Sequence, residues 1–96
     1  MLEFQTLEKE KFTIISFNLK DILEPNILEN LELPKINNTK GVILDGRGPI
    51  WLYCYMVHHY HTTKFIATHD PRLGGAVVVE THSPEFKVGN VLKLEE

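Results

Sequence analysis

The chain has little of two features, the cysteines that stabilise secreted domains and the long apolar runs that cross membranes. Its 96 residues include one cysteine, Cys54, so no disulfide can form within the chain. We expect a reducing, cytoplasmic environment, in which Cys54 packs as a small apolar group inside a helix. The longest apolar run, residues 50–57, is far shorter than the roughly 20 residues that cross a bilayer. The first residues show no basic segment followed by an apolar one, so no secretory signal is predicted.

Positive charge is also scarce, because ten lysines and arginines stand against thirteen aspartates and glutamates, for a formal net charge of −3. This balance argues against a general nucleic-acid coat, which needs a basic surface. It leaves open a small phosphorylated ligand, which needs only a few converging donors. All five histidines and both arginines lie between Arg47 and His82. Such side chains hold anions, ligate metals or move protons near neutral pH, so we expect the functional site in this third of the chain.

The hydrophobic pattern predicts one domain, residues 1–96, built around a sheet. Residues 2–7 and 12–19 are predicted to pair as a hairpin, and Pro25 can open a short helix. A strand, a glycine turn, a helix and another strand then follow, which is the order of a parallel crossover. The crossover consists of a strand at 42–44, a helix from 49 to about 60 and a strand at 65–68. Two more strands are predicted after it, at 76–79 and 91–94. We predict a reduced Rossmann-like α/β fold, a mixed sheet with flanking helices on its faces.

The first candidate motif is Asp45-Gly46-Arg47-Gly48-Pro49, at the junction of a strand and a helix. Glycines allow a tight turn, and the free N–H groups and positive dipole end of the helix favour an anion. The guanidinium of Arg47 can fork onto a phosphate. The alternative is an ordinary turn in which Arg47 pairs with Asp45 or faces solvent. Asp45 itself would repel a phosphate, unless it orients Arg47 or accepts a hydrogen bond from a ribose hydroxyl.

The second candidate is a histidine pair, His58 and His61, near the C-terminal end of the same helix. Residues three apart can face the same side, where the helix dipole stabilises an imidazolium and the spacing allows shared metal ligation. The alternative is that both side chains cover the helix end and contact its free carbonyl groups. His59, His69 and His82 are assigned no role.

The third candidate is Asp70 with Arg72, just past a predicted strand, where α/β sheets place ligand-contacting groups. Asp70 can accept a proton, hold a metal or orient Arg72, and the alternative is a local Asp-Pro turn. Strand direction puts Arg47, Asp70 and Arg72 at one edge of the sheet. His58 and His61 lie near the other edge, beyond a helix of about 18 Å. The two sets can therefore act on the same bond of a ligand only if the edge with His58 and His61 in one molecule meets the edge with Arg47, Asp70 and Arg72 in another.

Three stretches, residues 46–52, 60–61 and 70–74, together resemble a CRISPR-associated ring-nuclease family, Csx-three (also called Crn-three). They read Gly-Arg-Gly-Pro-Ile-Trp-Leu, Tyr-His and Asp-Pro-Arg-Leu-Gly. The resemblance implies a domain of the CRISPR-associated Rossmann superfamily that works as a homodimer in antiviral defence. It implies binding of short RNA, especially cyclic tetra-adenylate, the second messenger of type III CRISPR systems, and manganese-dependent cleavage of that ring. It also implies that dimers can stack head to tail, into tetramers or filaments.

The resemblance further assigns roles to single residues. It implies that His61, Asp70 and Arg72 are catalytic, and that His61 and Asp70 ligate manganese. The ligand-binding positions are Gly46, Arg47, Gly48, Pro49 and Ile50. Two positions depart from the family pattern, since Thr62 stands where a second histidine often follows and Asp45 where a smaller, uncharged residue is expected.

Three functions fit these residues. The first is a metal-dependent phosphodiesterase that opens cyclic tetra-adenylate. The second is a module that binds cyclic oligoadenylate or short RNA without turnover, and the third is a manganese-dependent RNA 3′ exonuclease, or deadenylase. No membrane partner is expected.

Overall fold

A computed structural model describes residues 2–19 and 23–94 of the chain. They form one six-stranded sheet whose strands are arranged in chain order, β1 to β6. The helical elements among these residues are one α-helix, α1, and a short 3-10 helix at Pro25–Glu29. The element bounds are β1 Leu2–Glu8, β2 Phe12–Leu19, β3 Gly41–Gly46, α1 Ile50–His59, β4 Phe65–Asp70, β5 Gly75–Thr81 and β6 Val91–Lys93.

The sheet is mixed, as the sequence pattern predicts. β2, β3 and β4 run parallel to one another, whereas the β1–β2, β4–β5 and β5–β6 pairs are antiparallel. The carboxyl ends of β2, β3 and β4 therefore meet at one edge of the sheet, which we call the upper edge and which ends at Leu19, Gly46 and Asp70. α1 begins at this edge and returns the chain to the opposite, lower edge, where β4 starts.

The predicted Rossmann-like α/β fold with flanking helices is wrong. The described chain is mostly β-sheet with a single α-helix, and the strand order has no reversal of the kind that divides a Rossmann sheet. The connection from β2 to β3 is the reason. Its described part holds one short 3-10 segment, which Pro25 opens, and Pro34 interrupts helical hydrogen bonding beyond it, so a second covering helix is not found there.

The two faces of the sheet are covered differently. Leu52 and Met56 of α1 are fully buried against side chains of one face, which include Ile15, Leu44 and Ile66. The opposite face has its own buried cluster, Ile43, Phe65, Ala67, Ala76 and Val78, against which Phe86 of the β5–β6 connection packs. Towards the upper edge this second face opens into a cleft lined by Leu7, Ile14, Ser16, Asp45, His69 and Leu94, among others. This cleft exposes the polar side chains of Ser16, Asp45 and His69 at the upper edge.

The described helices are too short to span a membrane. α1 has ten residues, against the roughly 20 that a bilayer requires.

Candidate functional site

A cleft of about 530 Å³ lies where the parallel strands end and α1 begins. Its walls come from the last residues of β2, from the β3–α1 turn and from the end of β4. The lining residues include Asn18, Asp45, Gly46, Arg47, Gly48, His69 and Pro71. Arg47 therefore lies in a concave surface built from three strand ends, as expected for a ligand site at the carboxyl edge of parallel strands.

The turn that carries Arg47 is held by a tyrosine of α1. The Tyr53 hydroxyl accepts a hydrogen bond from the Gly46 N–H at 3.1 Å and donates one to the Gly46 carbonyl. Gly46 must be glycine because a Cβ there would lie 2.5 Å from the carbonyl oxygen of Phe17. The first role of this glycine is thus close packing of β3 against β2, with the turn fixed in place beside the cleft.

The start of α1 follows this turn and borders a neighbouring cleft, which Ile50 lines. Pro49 occupies the N-cap position, and in the described chain neither a side-chain cap nor an acidic residue accompanies the first helical turn. Ile50, the first helical residue, is 82% exposed. Leu52 N–H already donates to the Pro49 carbonyl oxygen, so the N–H groups of Ile50 and Trp51 are the ones that remain available for an anion.

Asp45 and His69 form a pair that the sequence analysis did not anticipate. His69 Nδ1 lies 3.1 Å from Asp45 Oδ1, and the side chains are 24% and 41% exposed. The register of β3 and β4 brings them together, because Leu44 is paired with Thr68 and the next residues along both strands are Asp45 and His69. The alternative that Asp45 pairs with Arg47 is not what the structure records. Both residues are visible in the sequence, but their pairing can be predicted only when the register of β3 against β4 is known.

Asp70 and Arg72 lie at the end of β4, on the α1 side of the upper edge. Asp70 Oδ1 accepts a hydrogen bond from the Arg72 backbone N–H at 3.0 Å and lies 3.5 Å from Arg72 Nε. Asp70 therefore does two things that the sequence analysis treated as alternatives: it forms the local turn, and it orients the Arg72 side chain. Arg72 is 90% exposed and lines a second open cleft with Ile50, Tyr53, Cys54 and Asp70. Cys54 is exposed there, so the prediction that it packs as an apolar group is wrong.

The histidine end of the molecule is formed by His58, His61 and His82 at the lower edge. The rings of His58 and His61 stack with their centroids 5.6 Å apart, and His61 Nδ1 lies 2.9 Å from the His58 carbonyl oxygen. Because a carbonyl oxygen only accepts hydrogen bonds, Nδ1 of His61 carries the proton. Nε2 of a neutral His61 ring then keeps a free lone pair, suited to proton transfer or metal ligation.

His82, which the sequence left without a role, supports this arrangement. Its Nε2 donates to the His61 carbonyl oxygen at 2.8 Å and lies 3.5 Å from Glu80 Oε2. His82 therefore fixes the main chain from which the His61 ring projects. A residue that positions another through its backbone leaves no motif, and nothing in the sequence marked it.

The two groups of predicted site residues are far apart within one chain. His61 precedes β4 and Asp70 is its last residue, so the two are separated by the length of the strand, roughly 16 Å at 3.3 Å per residue. Across residues 2–19 and 23–94, no three His, Cys, Asp or Glu side chains converge in a way that could hold a metal ion. One molecule thus brings Arg47, Asp70 and Arg72 to one edge and does not bring His61 to them.

Comparison with known proteins identifies the family. Residues 16–93 match the model of the CRISPR-associated protein family Cas_csx3. The chain belongs to the Csx-three family. An uncharacterized protein of Aquifex aeolicus (strain VF5) is 52% identical to it in an alignment of 88 residues that covers 86% of this chain and 78% of that protein. The part that matches the Csx-three model includes both the upper edge and the histidine end.

Proposed function

We propose that this Csx-three protein is a cytoplasmic ring nuclease, which binds cyclic tetra-adenylate and cleaves a phosphodiester bond of the ring. One observation carries the proposal: the candidate site residues of this CRISPR-associated chain are divided between the two ends of β4. Anion-binding groups lie at the upper edge, and a histidine with a fixed tautomer lies at the lower edge. Stacked molecules would join these two half-sites.

The upper edge supplies groups that suit phosphates. Arg47 lines the cleft at the strand ends, and the neighbouring cleft is lined by Ile50 of the first turn of α1 and by Arg72, which is 90% exposed and lies beside Asp70. A guanidinium can contact two phosphate oxygens at once, and helix N–H groups add donors without a mobile side chain. A two-fold homodimer would present two copies of this edge, so that each half makes the same contacts with a ring of four identical nucleotides.

Cleavage needs groups from both ends. Arg72 would stabilise the negative charge that develops on the phosphorus oxygens, and Asp70 would orient the attacking hydroxyl and accept its proton as the new phosphorus–oxygen bond forms. His61, from a stacked molecule, would act through Nε2 in one of two ways. As an imidazolium it would give its Nε2 proton to the departing ribose oxygen as the phosphorus–oxygen bond breaks, and as a neutral ring it would ligate manganese. The described residues of one chain do not assemble a metal site, so in the second role manganese would be held by His61 of one molecule and Asp70 of the next. Bound there, it would supply Lewis-acid stabilisation of the phosphate.

The direct test is product analysis. Protein in excess over cyclic tetra-adenylate, incubated with and without manganese, is expected to yield linear oligoadenylate only when the metal is present. Glu10→Ala removes an exposed carboxylate from the β1–β2 turn. It is the control for the loss of one negative charge in Asp70→Ala and is expected to behave as wild type. A ring that stays intact refutes the nuclease. Faster shortening of linear RNA from its 3′ end than opening of the ring favours the exonuclease instead.

A mixing experiment tests the shared site. His61→Ala and Asp70→Ala proteins are each expected to be inactive, because each lacks one half of every site. In an equal mixture that stacks at random, about one contact in four joins an intact upper edge to an intact histidine end. About a quarter of wild-type activity should therefore return. Mixtures no more active than either parent would refute head-to-tail sharing.

One observation favours the alternative of a binding module. The described residues of a single chain hold the anion-binding edge complete but lack a metal site. If the protein only captures the nucleotide, wild type and Asp70→Ala should bind cyclic tetra-adenylate, and neither should produce a linear product at any protein concentration.

A further inference from the structure

On the face of the sheet opposite α1, which we call the open face, a row of three polar side chains crosses the strands at the upper edge. Ser16 of β2 is paired with Asp45 of β3, and the following pair along β3 and β4 sets His69 beside Asp45. All three side chains line the cleft on the open face, and all three also line the cleft that contains Arg47. Asp45 lies at the centre of this row, two residues from Arg47.

The Asp45 carboxylate is only partly used by the protein. Oδ1 is 3.1 Å from His69 Nδ1, and because a carboxylate only accepts hydrogen bonds, that ring nitrogen carries the proton. A carboxylate has about four lone-pair positions on its two oxygens, so the single contact with His69 leaves acceptor capacity. Asp45 is 41% exposed, so this capacity faces the cleft rather than the core.

A carboxylate in an anion-binding cleft restricts which part of a ligand can lie against it. A phosphate there would meet a second negative charge, which electrostatics disfavours. The group next to Asp45 must instead be a hydrogen-bond donor. In a ribonucleotide whose phosphate is held by Arg47, the 2′-hydroxyl of the adjoining ribose is the donor closest to that phosphate. An acidic side chain accepts from a ribose hydroxyl in the same way where dinucleotides bind at strand ends.

We infer that Asp45, oriented by His69, is a specificity-determining residue that accepts a hydrogen bond from a ribose 2′-hydroxyl and so selects RNA over DNA. The inference rests on the proposed function, since it requires an oligonucleotide in this cleft. His69 acts as a positioning residue, because it fixes one carboxylate oxygen and leaves the other to the ligand. The 2′-hydroxyl is the group that distinguishes RNA from DNA at any such site.

The test compares two ligands of identical sequence and charge. Binding of linear tetra-adenylate RNA and of its all-2′-deoxy counterpart is measured by calorimetry in EDTA, where metal-dependent cleavage cannot interfere, with cyclic tetra-adenylate as a third ligand. Wild type is expected to prefer the RNA at least tenfold, because a hydrogen bond to a charged acceptor is stronger than one between neutral groups. Asp45→Ala should bind both linear ligands with similar affinity, and its affinity for the deoxy ligand should rise because a repelling charge is gone.

Two further variants separate recognition from folding. Asp45→Asn keeps the shape and one acceptor oxygen, so it should keep part of the preference. His69→Gln should lower it, because the carboxylate loses its fixed orientation. Glu10→Ala, which removes an equal charge at the lower edge, should keep the full preference. Each variant is accepted only with a wild-type thermal transition.

The outcomes are distinct. If wild type binds cyclic tetra-adenylate but does not distinguish the two linear ligands, the inference is overturned and the proposed function stands. If Asp45→Ala retains the wild-type preference, Asp45 does not read the sugar. If wild type binds none of the three ligands, the proposed function fails and the inference fails with it.

Discussion

Replacement of Tyr53 by phenylalanine should release the turn that carries Arg47. The Tyr53 hydroxyl makes two hydrogen bonds to Gly46, one accepted from its N–H and one donated to its carbonyl. Burial raises the pKa of Tyr53, so the hydroxyl keeps its proton and remains a donor at neutral pH. The phenylalanine ring can keep the edge contact that Tyr53 makes with Phe17, whose centroid lies 5.3 Å away. The variant thus removes two hydrogen bonds and little packing.

The expected loss follows from those two bonds. A typical intramolecular hydrogen bond contributes about 1 kcal/mol, and both bonds here are only part-buried, so Tyr53→Phe should lower the free energy of unfolding by about 1–2 kcal/mol. For a domain of this size that is a fall in Tm of roughly 5–10 °C. Affinity for cyclic tetra-adenylate in EDTA should fall severalfold, because Arg47 is no longer held at the cleft.

Tyr55→Phe is the matched control on the same helix. The Tyr55 hydroxyl has no hydrogen bond within the described chain, so its removal should change stability by less than about 0.5 kcal/mol. Urea and thermal unfolding measure both variants. If Tyr53→Phe and Tyr55→Phe unfold alike, the tyrosine does not hold the turn and the reasoning is refuted.

The remaining predictions concern the packing beneath the site. Gly46→Ala places a Cβ 2.5 Å from the Phe17 carbonyl oxygen, so it should destabilise the protein by about 1–3 kcal/mol in urea unfolding; wild-type stability would show that β2 and β3 do not approach so closely. Met56→Ala empties a fully buried position under α1 and should cost about 2–5 kcal/mol, whereas a loss below 1 kcal/mol would contradict that burial. Burial raises the pKa of Tyr60 to about 12, against an ordinary value near 10 in the unfolded chain, so its contribution to stability is present below pH 10 and is lost as pH rises from 10 to 12. Tyr60→Phe should flatten that part of the pH–stability curve and lose the hydrogen bond to the Pro34 carbonyl; identical curves above pH 10 would contradict the assignment.

The sequence predicted local structure well where the pattern depends only on neighbouring residues. The hairpin of β1 and β2, the glycine turn, and α1 between two parallel strands are all present. Cys54 was misjudged although periodicity could have placed it. At about 100° per residue it lies about 200° around α1 from the buried Leu52, on the side that faces solvent.

The other differences from the prediction have two origins, the length of one connection and the pairing of elements in three dimensions. The predicted fold had flanking helices on its faces, but the described part of the β2–β3 connection holds only the short 3-10 segment that begins at Pro25. The Asp45–His69 pair depends on the register of β3 against β4, since a shift of one residue would turn one of the two side chains to the other face. The contact from His82 to His61 joins residues 21 apart and has no local signature.

The position of β4 explains why the two ends cannot work together inside one molecule. β4 lies in the middle of the sheet, paired with β3 on one side and β5 on the other, and its residues Phe65, Ile66 and Ala67 are fully buried. Such a strand cannot shorten or bend to bring His61 towards Asp70 without breaking both ladders and the core. The separation of the two ends is therefore a fixed feature of the fold rather than one conformation among several. Joint chemistry must then use a contact between an upper edge and a lower edge, which are different surfaces. Repeated contacts of that heterologous kind produce rings or open filaments, so the number of molecules in the assembly would determine how many complete sites exist.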